Sequence, residues 1–328
     1  MGSTMRAGQM VELGRMECVD APLEALREGD LLVRTAYASI CGSDLHVVTY
    51  GVDTAPKLWL PGYPGHEAIG EVLESQAAGF SAGDLVLCVP FVAESRGFAE
   101  LQRIKASSVV KLTGGLTPLP ELLMAQQLGT VIYAQRQHPR DVAGETVAIL
   151  GQGSAGLFWA YLLKRLGAAT VIVADLSPAR LAVSPRFGAD VVLDARTDDV
   201  LAAVRDLTGG RGADYVVEAV GRKETLVQSI SLARADTELF WFGLPDTSGV
   251  IPFDFAKFFR KRLRAHSTYG AQGEAGLVSF GVAVDWITSG QIDVTPLLSH
   301  MLPVEEIGRA FELADTRDDG ALKVSVSF

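Results

Sequence analysis

Two kinds of hydrophobic pattern follow each other along this chain. From residue 5 to about residue 120, short apolar runs with strand character alternate with turns rich in Gly and Pro. The clearest runs are Leu31–Ala36, Ala68–Leu73 and Asp84–Val89. We predict that this part is built entirely from β-strands and turns.

The second pattern begins near Pro120, where apolar residues take helical spacing from Glu121 to Gln137. From Thr146 to about Thr268, strand-like runs alternate with helix-like segments, which predicts βαβ units and a parallel sheet. Two helices and a final strand follow, at Gly276–Ser289, Val304–Thr316 and Leu322–Phe328.

These patterns predict an α/β protein with two domains. A mainly β domain takes residues 1–123 and 268–328, and a doubly wound parallel-sheet domain takes residues 124–267. We expect the functional site in the cleft between them, at the carboxyl ends of the parallel strands. The length of 328 residues fits two domains, and 48% hydrophobic residues suffice for their cores without disulfides.

Charge and cysteine content limit the binding partners and the cellular compartment that are expected. The net charge of −10 and the pI near 5.1 argue against nucleic acid or an anionic membrane as a partner. Cys18, Cys41 and Cys88 have no paired spacing, which favours a reducing, cytoplasmic setting over a disulfide framework. No apolar stretch is long enough to predict a membrane span, and the N-terminus lacks the features of a signal peptide.

A glycine fingerprint opens the alternating part of the chain. The apolar run Val147–Leu150 leads directly into a G-x-G-x-x-G sequence, and helical spacing follows. The first glycine permits a tight turn, the second lets a pyrophosphate approach the helix N-terminus, and the third lets helix and strand pack closely. We predict a Rossmann domain. Its candidate cofactor-binding residues are Gly151, Gly153, Ser154, Ala155 and Gly156.

Asp175 ends the next strand-like run, where an acidic residue accepts hydrogen bonds from the adenosine ribose. The alternative is that Asp175 caps the helix that begins near Pro178. A carboxylate at this position repels a 2′-phosphate, so NAD is predicted in preference to NADP. Arg180 is the first arginine after Asp175 and joins the candidate cofactor-binding residues.

Two short motifs in the first part of the chain hold side chains that bind metals. Cys41 begins the sequence Cys-Gly-Ser-Asp-Leu-His, and His66 and Glu67 follow Gly65. A thiolate, an imidazole and a carboxylate together suit zinc. Taken singly, a lone cysteine is more often a buried structural thiol, and a His-Glu pair fits a solvated loop.

Taken together, these motifs resemble those of the zinc-dependent medium-chain alcohol dehydrogenases. Ile40–His46 is similar to that family's first-ligand motif and Pro64–Glu67 to its second-ligand motif, with the same spacing between them. Ala82–Val86 and Gly97–Glu100 fit the same family, and the resemblance extends over Met5–Phe328. It implies a GroES-like catalytic domain beside the NAD-binding Rossmann domain.

The resemblance implies roles for the motif residues. Cys41 and His66 would bind the metal, and Glu67 would lie beside it as an exchangeable or a permanent ligand. Asp44 would orient His66.

It also implies a path for the proton of a substrate hydroxyl. Ser43 would accept a hydrogen bond from that hydroxyl, and the proton would pass by way of the nicotinamide ribose to His46. Ser43, His46 and Glu67 are therefore the candidate catalytic residues. Lys323 matches the position of a basic residue that contacts the cofactor phosphates.

Two departures from the family pattern matter. Many members bind a structural zinc through a four-cysteine lobe, but Val89–Lys105 is short and holds no cysteine, so one zinc is predicted. The third-ligand position is occupied by Gln126, as in the glucose-dehydrogenase branch. A carboxamide is a weak zinc ligand, so Glu67 is expected to bind directly; the alternative is that Gln126 only caps a cleft and the metal is weakened or lost.

The leading hypothesis is a zinc-dependent oxidoreductase that transfers hydride between a secondary alcohol, polyol or sugar-like substrate and NAD. The alternatives are an aldehyde or ketone reductase of the same family and a catalytically dead NAD-binding redox sensor. A zinc-free quinone or enoyl reductase would have no use for Cys41 and His66. The family also implies a homodimer or homotetramer that associates through the edge strand of the Rossmann sheet, around Leu239–Gly243 and onward.

Overall fold

The computed structural model describes residues 4–51, 59–113, 117–246 and 249–328. The chain forms two compact units. One contains the residues up to Tyr133 and those from Gly270 onward, and the other is Ala134–Tyr269. The sequence predicts domain boundaries after residues 123 and 267. In the structure the boundaries fall after Tyr133 and Tyr269, which is later in both cases.

Strands and helices alternate along most of the chain. The strands are β1 (Thr4–Glu12), β2 (Arg15–Pro22), β3 (Asp30–Ser39), β4 (Ala68–Ser75), β5 (Leu85–Cys88), β6 (Leu101–Lys105), β7 (Val109–Lys111), β8 (Thr146–Leu150), β9 (Thr170–Asp175), β10 (Val191–Asp194), β11 (Ala213–Glu218), β12 (Ala233–Trp241), β13 (Arg264–Ser267), β14 (Leu298–Pro303) and β15 (Lys323–Ser327). The α-helices are α1 (Gly42–Tyr50), α2 (Leu119–Leu123), α3 (Ala125–Gln137), α4 (Ser154–Arg165), α5 (Pro178–Val183), α6 (Val200–Leu207), α7 (Lys223–Leu232), α8 (Phe255–Arg260), α9 (Val278–Thr288) and α10 (Ile307–Thr316). Short 3₁₀ helices lie at Val92–Glu94, Ala106–Ser108, Ser184–Phe187, Ala271–Gly273, Ala275–Leu277, Thr295–Leu297, Val304–Glu306 and Asp318–Gly320.

The unit Ala134–Tyr269 is built on a six-stranded parallel sheet in the order β10–β9–β8–β11–β12–β13. Val147–Leu150 and Val171–Ala174 are almost completely buried, as expected for parallel strands covered on both faces. The chain moves outward from β8 to β9 and β10 and then returns to β11 on the other side of β8. The turn after β8 therefore lies at the switch point of the sheet, where α/β proteins bind ligands. The doubly wound Rossmann prediction is confirmed.

The predicted edge of this sheet begins too early in the chain. The segment that begins at Leu239 belongs to β12, which lies between β11 and β13. The edge strand is β13, paired along Glu238–Trp241. Only four residues long and carrying Arg264 and His266, β13 has too weak a strand pattern to be recognised as the edge.

The other unit is mainly β. Its seven-stranded sheet runs β14–β15–β3–β4–β5–β7, with β6 also paired to β3, and β1 and β2 form a separate hairpin. Leu31, Val33 and Val72 are fully buried in its core. The sheet places the last strand of the chain directly beside β3, and the antiparallel register sets Ser325 opposite Ser39.

The prediction that residues 5–120 contain only strands and turns is also wrong. The segment Gly42–Tyr50 forms α1, which ends where Gly51 adopts a left-handed conformation with φ of 64°. At its start, the Asp44 carboxylate accepts a hydrogen bond from the Cys41 N–H at 2.8 Å. The β-branched residues at positions 47–49 conceal this helix, because such side chains favour strands.

Smaller corrections concern the other predicted helices. The segment Glu121–Gln137 is two helices, α2 and α3, which meet at Met124. The helix predicted from Gly276 begins at Val278, because Gly276 and Leu277 have φ values of 70° and 48°. None of the helices in the described parts of the chain is long and apolar enough to cross a membrane.

Candidate functional site

The start of α1 connects the two predicted metal-binding motifs. Asp44 is fully buried and uses one carboxylate oxygen for the Cys41 N–H. Its other oxygen lies 3.0 Å from Nδ1 of His66. This contact fixes the imidazole ring and leaves its Nε2 atom for another partner. The Ser43 hydroxyl lies 3.5 Å from that Nε2 atom.

Cys41, His66 and Glu67 form a compact donor cluster. One potential ligand atom from each lies within 4.8 Å of those of the other two. His66 is 4% exposed and Glu67 is 1% exposed, so the cluster is largely withdrawn from water. Within the described ranges, these three side chains are the one His, Cys, Asp or Glu group that meets this geometry. The structure therefore brings together the three charged or soft donors that the sequence predicts.

The carboxylate of Glu67 is held from one side. Its Oε2 atom accepts a hydrogen bond from the hydroxyl of Ser39 and lies 2.5 Å from Nζ of Lys323. Its Oε1 atom is buried and has no hydrogen-bond partner among the described residues. One oxygen is thus occupied by protein donors, and the other is open to an additional electrophile.

Charge in the cluster is balanced by pairs. Burial lowers the pKa of His66, but Asp44 and Cys41 raise it by more, so it lies well above its usual range. Burial raises the pKa of Glu67, but Lys323 and His66 outweigh burial and hold it below its usual value. Burial likewise lowers the pKa of Lys323, but Glu67, Cys41 and Asp44 outweigh burial and hold it above its usual value. The carboxylate of Asp44 thus contacts the His66 ring, and that of Glu67 contacts the Lys323 side chain.

Lys323 lies against the donor cluster. It is 3% exposed, and its ammonium contacts Glu67 within the donor cluster. The contact with the cofactor phosphates stays a prediction. Sequence reasoning missed the Lys323–Glu67 and Ser39–Glu67 contacts, because they depend on the pairing of β15 with β3 and no local motif encodes that pairing.

Two glutamines lie at the start of α3. The Sγ atom of Cys41 lies 3.7 Å from Oε1 of Gln127, a residue that sequence reasoning did not single out. Gln126 is 1% exposed, and its Nε2 atom has no hydrogen-bond partner among the described residues. The carboxamide placed against Cys41 is therefore that of Gln127, and the zinc-ligand role of Gln126 stays a prediction.

The predicted proton path begins on the same helix. Ser43 and His46 are three residues apart on α1 and so lie on neighbouring positions of its surface. Both are partly buried, and the His46 ring packs edge-on against Tyr50 with 5.9 Å between ring centroids. Ser43 contacts the donor cluster through His66. The relay itself stays a prediction.

The glycine turn in the other unit has the geometry that its spacing predicts. Gly151 has φ of 92°, a conformation that favours glycine. A Cβ atom on Gly156 would lie 1.9 Å from the carbonyl oxygen of Gly151, so only glycine permits this packing. Gly153 is the N-cap of α4, and Ser154 and Ala155 form its partly exposed first turn. Backbone N–H groups at the start of a helix have no partner within the helix and can bind an anion.

Asp175 ties this turn to the end of β9. One of its oxygens accepts the Gln152 N–H at 2.6 Å, and the other accepts the Ser177 N–H at 2.8 Å. The N-cap of α5 is Ser177, so the alternative that Asp175 caps this helix is wrong. Nη1 of Arg180 lies 3.9 Å from the Asp175 carboxylate and close to Gly153, beside the glycine turn.

Comparison with protein families gives matches in both units. Residues 27–118 match the family model described as alcohol dehydrogenase GroES-like domain. Residues 155–280 match the model described as zinc-binding dehydrogenase. The first match confirms that the mainly β unit is GroES-like.

Individual proteins match over nearly the whole chain. An alcohol dehydrogenase of Cupriavidus necator is 27% identical, with 99% of both chains covered. A sorbitol dehydrogenase of Bacillus subtilis is 25% identical, with 98% of this chain and 97% of the relative covered. Among solved structures, an alcohol dehydrogenase from Thermus sp. ATN1 has a TM-score of 0.83 at 26% identity, covering 98% of this chain and 99% of that one.

Proposed function

Because the chain belongs to the zinc-binding medium-chain dehydrogenases, we propose that it oxidises a secondary alcohol, polyol or sugar-like substrate with NAD. Family membership makes it a zinc-dependent NAD(P) dehydrogenase. The proposal adds the substrate class, the choice of NAD and the residues that do the work. The similar alcohol and sorbitol dehydrogenases support the substrate class.

The observation that carries the proposal is the buried Cys41–His66–Glu67 cluster. Its donor set of a thiolate, an imidazole and a carboxylate fits zinc, and the open Oε1 atom of Glu67 fits a missing electropositive partner. Asp44 supplies the carboxylate contact that orients a metal-binding histidine. We propose one zinc ion in this cluster and no structural zinc. The chemistry that zinc supplies in such a site is polarisation of the substrate oxygen, and nicotinamide accepts the hydride.

The protein's own residues handle the substrate proton and the cofactor. Ser43 lies next to His66 and is proposed to accept a hydrogen bond from the substrate hydroxyl and to take that proton as it releases its own outward. His46, three residues further along α1, is proposed to receive the released proton. In the Rossmann unit, the first turn of α4 is proposed to hold the pyrophosphate. Asp175 is proposed to accept the ribose hydroxyls and to exclude a 2′-phosphate by charge.

We also propose that the chain assembles as a homodimer or homotetramer. The support is the exposed edge of β13, since an unpaired strand edge can continue its sheet in a second copy. Light scattering at micromolar concentration tests this, and a monomeric mass would contradict it.

The experiment that tests the function is a substrate screen on protein of known zinc content, purified without chelators. Secondary alcohols, polyols and sugars are offered with NAD and NADP in parallel, and carbonyl compounds are offered with the reduced cofactors. We expect about one zinc per chain and turnover of an alcohol or polyol with NAD. Turnover confined to carbonyl reduction would favour the reductase alternative. Cofactor binding to zinc-loaded protein without turnover of any compound would favour the sensor.

A further inference from the structure

Ser39 is a buried residue at the end of β3, two positions before Cys41. Its hydroxyl donates to Oε2 of Glu67. We infer that Ser39 is a positioning residue: together with Lys323 it holds Oε2 so that Oε1 of Glu67 faces Cys41 and His66. The inference rests on the proposed zinc site and makes Glu67 a permanent ligand of the zinc ion.

The first support is the unequal treatment of the two carboxylate oxygens. Oε2 of Glu67 has two donors, the Ser39 hydroxyl and the Lys323 ammonium. Oε1 is buried and has no hydrogen-bond partner in the described parts of the chain. A buried carboxylate oxygen without a donor is costly, so this orientation calls for another partner at Oε1.

The second support is that both donors are fixed by the sheet. The β3–β15 register sets Ser39 opposite Ser325, so their side chains lie on the same face of the sheet. Lys323 is two residues from Ser325 on β15 and therefore shares that face. The backbone N–H of Ser39 also donates to the Glu67 carbonyl at 2.9 Å, which fixes the distance between the two residues.

Lys323 alone would not define this orientation. An ammonium on a flexible four-carbon chain acts as a point charge and attracts both carboxylate oxygens equally. A hydroxyl on a short side chain anchored to a strand is directional, because it reaches only one oxygen. Without the Ser39 hydroxyl, the carboxylate can turn so that both oxygens face Lys323 and Oε1 leaves the cluster.

The test compares Zn²⁺ affinity, measured by competition with a chromophoric chelator, in full-length wild type, Ser39→Ala and Ser39→Thr. Ser325→Ala is the matched control, since Ser325 is the buried cross-strand neighbour and its hydroxyl has no partner among the described residues. We expect Ser39→Ala to weaken zinc binding by about 10–100-fold, as is typical when a contact to a ligand residue is removed. Ser39→Thr and Ser325→Ala should stay close to wild type. The visible spectrum of the Co²⁺-loaded proteins should change only in Ser39→Ala.

A double-variant cycle separates positioning through Glu67 from general damage to the fold. In a Glu67→Ala background, Ser39→Ala should cause little further loss of zinc affinity. An equal loss in both backgrounds, or wild-type affinity and an unchanged Co²⁺ spectrum in Ser39→Ala, would overturn the inference. Ser39→Gly replaces Ser39→Ala if thermal unfolding shows that the alanine protein does not fold. Wild-type protein that binds neither Zn²⁺ nor Co²⁺ would overturn the proposed zinc site itself. That outcome differs from wild-type protein that binds zinc with an affinity independent of Ser39.

Discussion

Each unit has a buried carboxylate at the centre of its candidate site, and the two carboxylates are engaged differently. Asp175 uses both oxygens for backbone N–H groups, those of Gln152 and Ser177. Glu67 has two side-chain donors on one oxygen and, among the described residues, none on the other. The first carboxylate completes a turn of the protein, whereas the second keeps one oxygen available to the proposed metal.

The comparison shows which parts of the chain position the residues of each site. The partners of Asp175 belong to one βαβ unit, so the turn and its acidic residue form together from contiguous sequence. Glu67 depends on Ser39 from β3 and on Lys323 from the last strand of the chain. A site of this second kind exists only after the whole sheet has assembled.

The largest expected effect concerns the metal-binding region. Cys41→Ala should remove zinc and dehydrogenase activity together, because it deletes the one thiolate of the donor cluster. Cofactor binding in the other unit should persist. Elemental analysis and NADH fluorescence titration measure the two properties separately.

Cys18→Ala is the control for this prediction. Cys18 is a partly buried thiol in the same unit, on β2, so the control makes the same chemical change outside the cluster. It should keep both zinc and activity. Full activity in zinc-depleted Cys41→Ala would contradict the proposed site.

The next effect concerns the proton path. Ser43→Ala should lower kcat by about 10²–10⁴-fold, as is typical when a proton-transfer group is lost, while zinc and NAD stay bound. Ser43→Thr keeps a hydroxyl and should retain most activity. His46→Gln should cost less at high pH, where solvent base replaces the imidazole. Wild-type kcat in both Ser43→Ala and His46→Gln, with hydride transfer rate-limiting, would rule out the relay.

Zinc affinity should depend on pH. Although burial opposes it, Asp44 and Cys41 hold the pKa of His66 well above its usual range, so zinc competes with a proton on this ring at neutral pH. The proton is bound below the pKa, so affinity should rise with pH, roughly tenfold per unit for each proton released, and level off above it. In Asp44→Asn the plateau should begin at lower pH. Chelator competition at about pH 6 and pH 8 giving the same wild-type affinity would contradict this assignment.

The sequence predicts the two sites to different extents. The glycine turn and Asp175 follow from a contiguous strand–turn–helix pattern, which fixes the glycine geometry and places the acid at the next strand end. Cys41, His66 and Glu67 follow from motif types, and the structure places them together. Ser39 was not predicted, because strand register between distant segments leaves no local signal.

Local propensity explains the other differences. The helix α1 carries Asp44 and Ser43 into the site, yet its β-branched residues favour a strand pattern. Capping by Asp44 and packing of Val47 and Val48 in the core outweigh that propensity. Gln127 was overlooked for a similar reason, since spacing along one helix does not show which of two adjacent carboxamides points to Cys41.

The smallest expected effect concerns the nucleotide-binding region, and it tests whether Asp175 does more than complete the turn. Asp175→Asn keeps the size of the side chain and one oxygen for the backbone, but removes the charge that repels a 2′-phosphate and attracts Arg180. NAD affinity should fall roughly tenfold, the equivalent of one hydrogen bond to a charged group, and the preference for NAD over NADP should narrow.

Asp190→Asn is the matched control, because Asp190 also accepts a backbone N–H in this unit, from Val171. This substitution should leave the affinities for NAD and NADP unchanged. If Asp175→Asn loses stability in thermal unfolding but keeps the wild-type ratio of kcat/KM for NAD and NADP, Asp175 only stabilises the turn through its backbone hydrogen bonds and does not select the cofactor. A wild-type preference for NADP would contradict the assignment of NAD directly.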